Sequence, residues 1–322
     1  MDKRSIAVDL GGTHVRTAVS DESLHLAGRT DAPTLLELGP EGIIDQIVRQ
    51  ARQSVSESGV SWSQVQTLVV GAPGPLDATS GVMLNPPNLP GWENVPLRLS
   101  LEAELEIPVK VANDANAAAL GEFYFGAGRG NRNLVYITVS TGIGGGVVVE
   151  GRLVEGASGT AGEIGHTTID RYGPVCKCGN KGCLEVIASG TAIARRFREG
   201  LAAGERSIVT EWVDGDLATS ADVARGAQQG DRFALALFTD AAEAVGFGVV
   251  NCIHLFNPDV IAIGGGVTKA GRLLFEPIQR VVEQYALAVP RNVVRIVQAE
   301  LEEDVGLIGA AALSWTHSRV AW

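Results

Sequence analysis

Three times along this chain a short apolar run ends in a cluster of glycines. Residues 5–10 (SIAVDL) lead into Gly11-Gly12-Thr13, residues 134–140 (LVYITVS) into Thr141-Gly-Ile-Gly-Gly-Gly146, and residues 260–263 into Gly264-Gly265-Gly266. Runs this short and this apolar read as buried strands. Glycine after each one lets the chain turn sharply. It also lets backbone N–H groups approach an anion as no residue with a Cβ can. The chain holds 40 glycines among 322 residues, well above the usual ~7%, so their placement carries information. After the first two clusters the chain returns as a strand, at residues 15–20 and 147–149. A strand, a glycine turn and a returning strand thus occur twice, at 7–19 and 137–149. A duplicated anion-binding device gives this pattern, and so do two ordinary glycine hairpins.

The intervening sequence alternates strand and helix signals, which marks the α/β class. Further strands are expected at 24–31, 67–70, 109–111 and 293–297. Apolar residues at helical spacing predict a helix over 43–55 (Ile43, Ile44, Ile47, Val48, Ala51, Val55). Others are expected at 99–105, from 113 onward, and over 191–203, 220–229, 232–255, 273–287 and 305–315. Residues 71–75 (GAPGP) and 85–92 (NPPNLPGW) are rigid irregular loops. At roughly 150 residues per domain the length suggests two domains, and no low-complexity linker separates them.

Charge narrows the function classes. Lys+Arg 26 against Asp+Glu 37 gives 26 − 37 = −11. That argues against a dedicated nucleic-acid binder and against adhesion to an anionic membrane. No apolar run approaches the ~18–20 residues of a spanning helix, and the start MDKRSIAVDLGG lacks the apolar core of a signal peptide. Three of the four cysteines crowd into residues 176–183, which suits a metal site in a reducing cytoplasm better than a disulfide framework.

Four groups of residues carry candidate chemistry. Asp9 and Thr13 flank the first glycine turn. Asp9 can hold a hydrated Mg²⁺ and Thr13 can add a hydroxyl donor; a plain hairpin with a satisfied aspartate is the alternative. No Gly-Lys pair and no G-x-G-x-x-G is present, so the P-loop and Rossmann devices are excluded and any nucleotide is held by another geometry. Thr141 and Gly142 are placed to face the first turn, and Gly264–Gly266 to let a flat adenosine lie against backbone. Asn113-Asp114 ends a strand and opens a helix, with Asn113 or Asp114 suited to its N-cap; a carboxylate there serves either as that cap or as the acceptor of a substrate hydroxyl proton.

The fourth group is His166, Cys176, Cys178 and Cys183, a Cys₃His complement for a closed tetrahedral zinc. A metal-free reduced loop is the alternative. Glu163 and Glu185 flank it, and His166 can ligate with one ring nitrogen while offering its other N–H to a hydroxyl. Taken singly, each glutamate also reads as a surface residue. His14, His25, His254 and His317 show no ligand spacing, and Trp62, Trp212, Trp315 and Trp322 no clear function. Trp92 covers a ligand or anchors its loop, and Cys252 falls in an apolar helical run as core.

Together these residues resemble the ROK family (repressors, open reading frames, sugar kinases), from Asp9 to about Ala312. The resemblance rests on DLGGTHVRTAV, NDANAAALGE, TVSTGIGGGVVVEGRLVEGASGTAGEIGH and CKCGNKGCLE, and is strongest to the family's bacterial glucokinases. It implies an actin-like ATPase, hexokinase-like fold: two α/β domains flanking a cleft that closes on substrate. The smaller domain is expected from 1–114 plus 305–322, the larger from 115–304. The implied reaction is ATP-dependent phosphorylation of the 6-hydroxyl of glucose, with Asp114 as general base. Asn113, Glu163, His166 and Glu185 are then sugar ligands, with Gly74 and Asn88 in loops reaching the sugar. Gly11, Gly12, Thr13, Thr141 and Gly142 become phosphate loops, Gly264, Gly265 and Gly266 the adenosine side, and the Cys₃His set structural zinc.

Kinases for N-acetylmannosamine, N-acetylglucosamine, fructose or mannose are the nearest alternatives, and polyphosphate is an alternative donor. Homo-oligomers, dimers or tetramers, are common among similar kinases. The family's transcription regulators carry a helix-turn-helix ahead of the kinase-like part; a first strand at Ser5 is expected to leave no room for one. A non-catalytic sugar sensor is expected to lack a carboxylate at position 114 or to have degraded glycine loops, and neither is seen here.

Overall fold

The computed structural model describes residues 3–316; His317 and Trp322 lie outside the described residues. The chain opens with strands β1 (Arg4–Leu10), β2 (His14–Ser20) and β3 (Leu26–Pro33), then helix α1 (Gly39–Ser58). β4 (Val65–Ala72) is followed by the two-residue strands β5 (Leu76–Asp77) and β6 (Val82–Met83), α2 (Leu97–Leu105), β7 (Val109–Asn113) and α3 (Asp114–Phe125). Next come β8 (Leu134–Val139), β9 (Ile143–Val149) and β10 (Arg152–Leu153). Helices α4 (Leu184–Ala188), α5 (Gly190–Ala202), α6 (Ser220–Gln228) and α7 (Arg232–Phe256) lead to β11 (Val260–Gly264). α8 (Arg272–Tyr285), α9 (Ala288–Arg291), β12 (Arg295–Gln298) and α10 (Val305–Thr316) complete the described fold.

These elements form two compact units. Unit 1 takes the chain up to Arg129, Leu153–Ala161 and the segment from Glu300 onward; unit 2 takes Gly130–Arg152 and Gly162–Ala299. The resemblance placed the break after residue 114. In the structure α3 stays with unit 1, because it packs along α10, and the chain leaves the unit only after Arg129.

Unit 1 is built on a five-stranded sheet in the order β3-β2-β1-β4-β7. β1, β2 and β3 pair antiparallel, whereas β4 and β7 run parallel to β1. Ile6, Ala7, Val8 and Leu10 are fully buried, the continuous apolar run expected of a central strand covered on both faces. Ile6, Val8 and Leu10 share one core with Ile43, Ile47, Leu68, Val70 and Leu101. Opposite them α10 lies against β1 and β4. α1 carries buried Ile43, Ile44, Ile47, Val48, Ala51 and Val55 on one stripe and stops at Gly59, whose φ of 70° only glycine adopts without strain. Trp92 is fully buried in this core, so it anchors the 85–92 loop and does not cover a ligand.

Unit 2 repeats the plan. Its sheet runs β10-β9-β8-β11-β12, with β8 and β9 a hairpin and β11 and β12 parallel to β8. The two stretches that echo each other in sequence are thus the hairpins at equivalent places in two alike sheets. Helix α7 packs against α4, α5, α6 and α8, and a Cβ on its Gly246 would lie 2.8 Å from Val281 Cβ. No apolar run in the sequence suggested a membrane span. Yet α7, alone among the described residues, is long and apolar enough by length and composition. The fold buries 61% of its apolar window, so α7 serves as a core helix. The helix expected over 273–287 also divides: Ala286 is extended (ψ 141°) and ends α8 at Tyr285.

α3 and α10 cross where two glycines meet. A Cβ on Gly309 would sit 2.2 Å from the Ala117 carbonyl oxygen. Alanine gains about 1 kcal/mol of helix propensity over glycine, but forcing two backbones apart in a packed core typically costs about 1–3 kcal/mol or more. Gly309→Ala is therefore expected to lower the thermal unfolding midpoint, followed by circular dichroism. An unchanged or raised midpoint contradicts the close crossing.

Candidate functional site

In unit 1 the candidate residues lie along one edge of the sheet. Asp9 of β1 is opposite Gly71 of β4, and Ala72 of β4 is opposite Asn113 of β7. These are the C-terminal ends of parallel strands, the edge where open α/β sheets bind ligands. The turn after β1 is closed by the Gly11 N–H donating to His14 O at 2.9 Å. Thr34 holds it from below: its N–H donates to Thr13 O (2.9 Å) and its hydroxyl to Gly11 O (2.7 Å). A Cβ on Gly12 would fall 2.6 Å from Asn88 O, so glycine is what lets the 85–92 loop, with exposed Asn88, rest on the turn. Thr13 is exposed at its tip.

Asp9 belongs to a charged row that sequence reading missed. The hairpin register sets Asp9 opposite Arg16, and Arg16 opposite Asp31. Arg16 Nη1 lies 3.3 Å from Asp9 Oδ2 and Arg16 Nε 3.1 Å from Asp31 Oδ2. His14 Nδ1 meets Asp31 Oδ1 at 2.5 Å. The available signal was the turn itself: closing it at residues 10–15 fixes which residues face each other. Asp9 also backs onto α10, where a Cβ on Gly306 would lie 2.6 Å from its carboxyl carbon. Burial pushes the Asp9 carboxyl above the usual range, against the pull of Arg16.

At the end of β7, Asn113 caps α3. Its Oδ1 accepts the N–H groups of Ala115 (2.9 Å) and Asn116 (3.2 Å), while its Nδ2 lies 3.2 Å from where a Cβ on Gly74 would be. Gly74 therefore belongs to the same cluster. Asp114 is the first residue of α3, half-buried, and its Oδ1 accepts the Ala115 N–H at 2.7 Å. The positive end of the helix favours a carboxylate there. N-cap and carboxylate are thus separate residues: Asn113 does the capping.

In unit 2 the second glycine turn follows β8. Gly190 N–H donates to Ser140 O (2.7 Å) and the Thr191 hydroxyl to Thr141 O (2.7 Å), so the start of α5 braces this turn. Thr141 is exposed and Gly142 half-buried. Glu185 Oε2 accepts the Ile143 N–H at 2.9 Å and would lie 2.5 Å from a Cβ on Gly142. Glu185 is thereby tied to the turn. Gly264 pairs with Thr138 at the same sheet edge. Gly265 has φ 88° and would carry a Cβ only 2.5 Å from Val139 O. Gly264, Gly265 and Gly266 thus stack directly on the end of β8.

Glu163 and His166 sit on one tight turn. A Cβ on Gly165 would lie 1.9 Å from Ile143 O, so this turn packs on the start of β9. His166 Nδ1 lies 3.8 Å from Cys176 Sγ, and Cys178 Sγ 3.7 Å from Cys183 Sγ. The four ligand atoms all fall within 4.8 Å of one another. A tetrahedron with bonds of about 2.3 Å to sulfur has edges of roughly 3.7 Å, so the donor set fits zinc in both chemistry and spacing. Burial, helped by the crowded thiols, pushes Cys183 up to about 12, whereas the Asn180 N–H draws Cys178 down. A cation at the centre favours all three thiolates. His166 Nε2 lies 4.0 Å from Glu163 Oε2, so the nitrogen away from the cysteines faces a carboxylate. Cys252 is buried, and burial alone pushes its thiol up to about 12.

Unit 1 therefore gathers Asp9, Gly11, Gly12, Thr13, Asn88, Gly74, Asn113 and Asp114, and unit 2 the remaining candidates. Residues 5–317 match the ROK family.

This chain belongs to the ROK family.

It is 38% identical over 309 residues to the glucokinase of Thermotoga maritima, covering 96% of each chain. Its fold is similar to the ROK hexokinase of Thermus thermophilus (TM-score 0.83, 34% identity, 98% of this chain and 99% of that one). It is also similar to a ROK glucokinase from Streptomyces griseus in complex with glucose and AMPPNP (TM-score 0.80, 33% identity, 96% and 98% covered). The actin-like ATPase fold expected from the family resemblance is therefore present.

Metal analysis tests the Cys₃His set. The purified chain is expected to carry about one zinc ion per chain, and Cys178→Ser to lose most of it. A folded wild-type chain that binds no zinc contradicts this assignment.

Proposed function

We propose that this ROK protein is an ATP-dependent hexokinase that phosphorylates the 6-hydroxyl of glucose, with Asp114 as general base. The observation that carries the reading is the placement of Asp114: a carboxylate opening a helix at the strand edge that also bears the first glycine turn. The glucokinase and hexokinase relatives support the substrate class.

On this reading Asn113 Nδ2, Glu163, His166 Nε2 and Glu185 hold the sugar hydroxyls, with Gly74 and Asn88 shaping the approach. Asp114 orients the 6-hydroxyl and accepts its proton as the oxygen–phosphorus bond forms and the bond to the departing ADP breaks. Mg-ATP supplies the phosphoryl group, and its cation part of the charge neutralisation. Backbone amides of Gly11, Gly12, Thr13, Thr141 and Gly142 stabilise charge on the phosphates without reorganising. Asp9, bridged to Arg16, orients the cation's water shell, and Gly264–Gly266 receive the adenosine. The zinc site fixes His166 with Nε2 turned toward the sugar, a bracing role outside the chemistry. Reduced thiols at this site suit the cytoplasm.

A coupled ADP-release assay with glucose, mannose, fructose, N-acetylglucosamine and N-acetylmannosamine tests the reading. Glucose is expected to give the highest kcat/KM, and no ADP release with any sugar contradicts it. Asp114→Asn is expected to lower kcat by roughly 10²–10⁴, about 3–5 kcal/mol of barrier, with sugar affinity retained in calorimetry. Turnover close to wild type removes Asp114 as the base.

A further inference from the structure

Glu122 is fully buried near the C-terminal end of α3, where the helix dipole disfavours a negative charge. Three backbone donors compensate it. Ala127 N–H donates to Oε2 at 2.8 Å, Glu300 N–H to Oε2 at 3.1 Å, and Leu301 N–H to Oε1 at 2.8 Å. Its carbonyl also accepts from Gly126 (3.0 Å) and Gly128 (2.9 Å). A helix cap needs only the donors at 126–128. The two at 300 and 301 come from a segment about 180 residues away in sequence.

Those two segments have one thing in common. The chain passes between units at four places, after residues 129, 152, 161 and 299. Glu122 fastens the stretch just before the first and the stretch just after the last. Arg129 Nη2 joins the same stretches again, 3.1 Å from Glu300 Oε2. The first stretch leads out to Gly130–Arg152, which carries Thr141 and Gly142. The second receives the chain back from Gly162–Ala299, which carries Glu163, His166 and Glu185 and left unit 1 separately after Ala161. Asp114 and Glu122 ride on one helix, about 12 Å apart at 1.5 Å per residue.

We propose that Glu122 is a positioning residue for phosphoryl transfer: it fixes the first exit of the chain to unit 2 and the last return from it, the return of the segment bearing the sugar-binding candidates, to the rigid rod that carries Asp114. This rests on the kinase reading above. Glu122 touches neither substrate nor reacting atoms in this role. It sets the direction in which these two connections leave unit 1.

Two variants test it. Glu122→Gln keeps the shape but puts an N–H₂ against a backbone N–H. Gly126→Ala leaves the carboxylate but displaces it, because the new Cβ would lie 2.1 Å from Glu122 Oε2. Each is expected to lower kcat per folded molecule by roughly tenfold and to change KM for glucose as well, as connection residues do, while zinc content stays at the wild-type level. Hydrogen exchange is expected to rise together at 126–129 and 300–302. Variants that fold less well but keep wild-type kcat per folded molecule and KM overturn the proposal, as does failure of both to fold; Glu122 is then a structural cap. If the wild-type chain releases no ADP with any hexose, the kinase reading fails instead. Exchange then decides alone: a rise confined to 126–129 overturns the clamp.

Discussion

Parallel strands that end level with one another are what the whole candidate site depends on. β1, β4 and β7 are in a register that sets Asp9 beside Gly71 and Ala72 beside Asn113, and β8 and β11 set Thr138 beside Gly264. A slip of one residue turns every side chain to the opposite face. It would bury Asp114's neighbours in the wrong layer and strip the glycine turns of their supports. The register is held by apolar burial on both faces: Ile6, Ala7 and Val8 are all fully buried. Glycine then performs a second task beyond turning. At Gly12, Gly142, Gly165 and Gly265 it lets one backbone or carboxylate approach another more closely than a Cβ allows.

An acidic chain that handles a triphosphate has to separate long-range from short-range electrostatics. The net charge of −11 acts over the surface, but at physiological salt it is screened beyond about 8 Å. Within a turn, oriented N–H groups act at contact distance and are not screened. The fold also ties down three carboxylates, two beside strand ends and one at the far end of α3. Asp9 is bridged to Arg16, Glu185 accepts an amide from the second turn, and Glu122 accepts three. None of these relies on solvent for its partner, so their positions follow the backbone.

Local chemistry was legible in the sequence and long-range packing was not. The two hairpins, the Asn113 cap and the spacing of His166 with the three cysteines follow from turn residues and donor types close in sequence. The buried face of α1 followed from its apolar stripe over 43–55, but its full span of Gly39–Ser58 did not, because the ends carry few apolar residues. The attachment of α3 to unit 1 did not, because it depends on Gly121 and Gly309 meeting across almost 190 residues. Glu122 read as an ordinary helix residue, since two of its donors come from residues 300 and 301. Trp92 sat in a loop sequence that suits either a lid or an anchor, and only its complete burial decides for the anchor. The Asp9–Arg16–Asp31 row was within reach: the turn length fixes the register, and the register fixes the row.

The central claim is that one carboxylate, opening α3, meets the hydroxyl that is phosphorylated. A crystal structure of this chain with glucose and a non-hydrolysable ATP analogue measures that distance directly. The account predicts an Asp114 carboxylate oxygen about 2.6–3.2 Å from the sugar's 6-hydroxyl, with that hydroxyl facing the terminal phosphate. A bound sugar that Asp114 does not reach, with another group at its 6-hydroxyl, contradicts it.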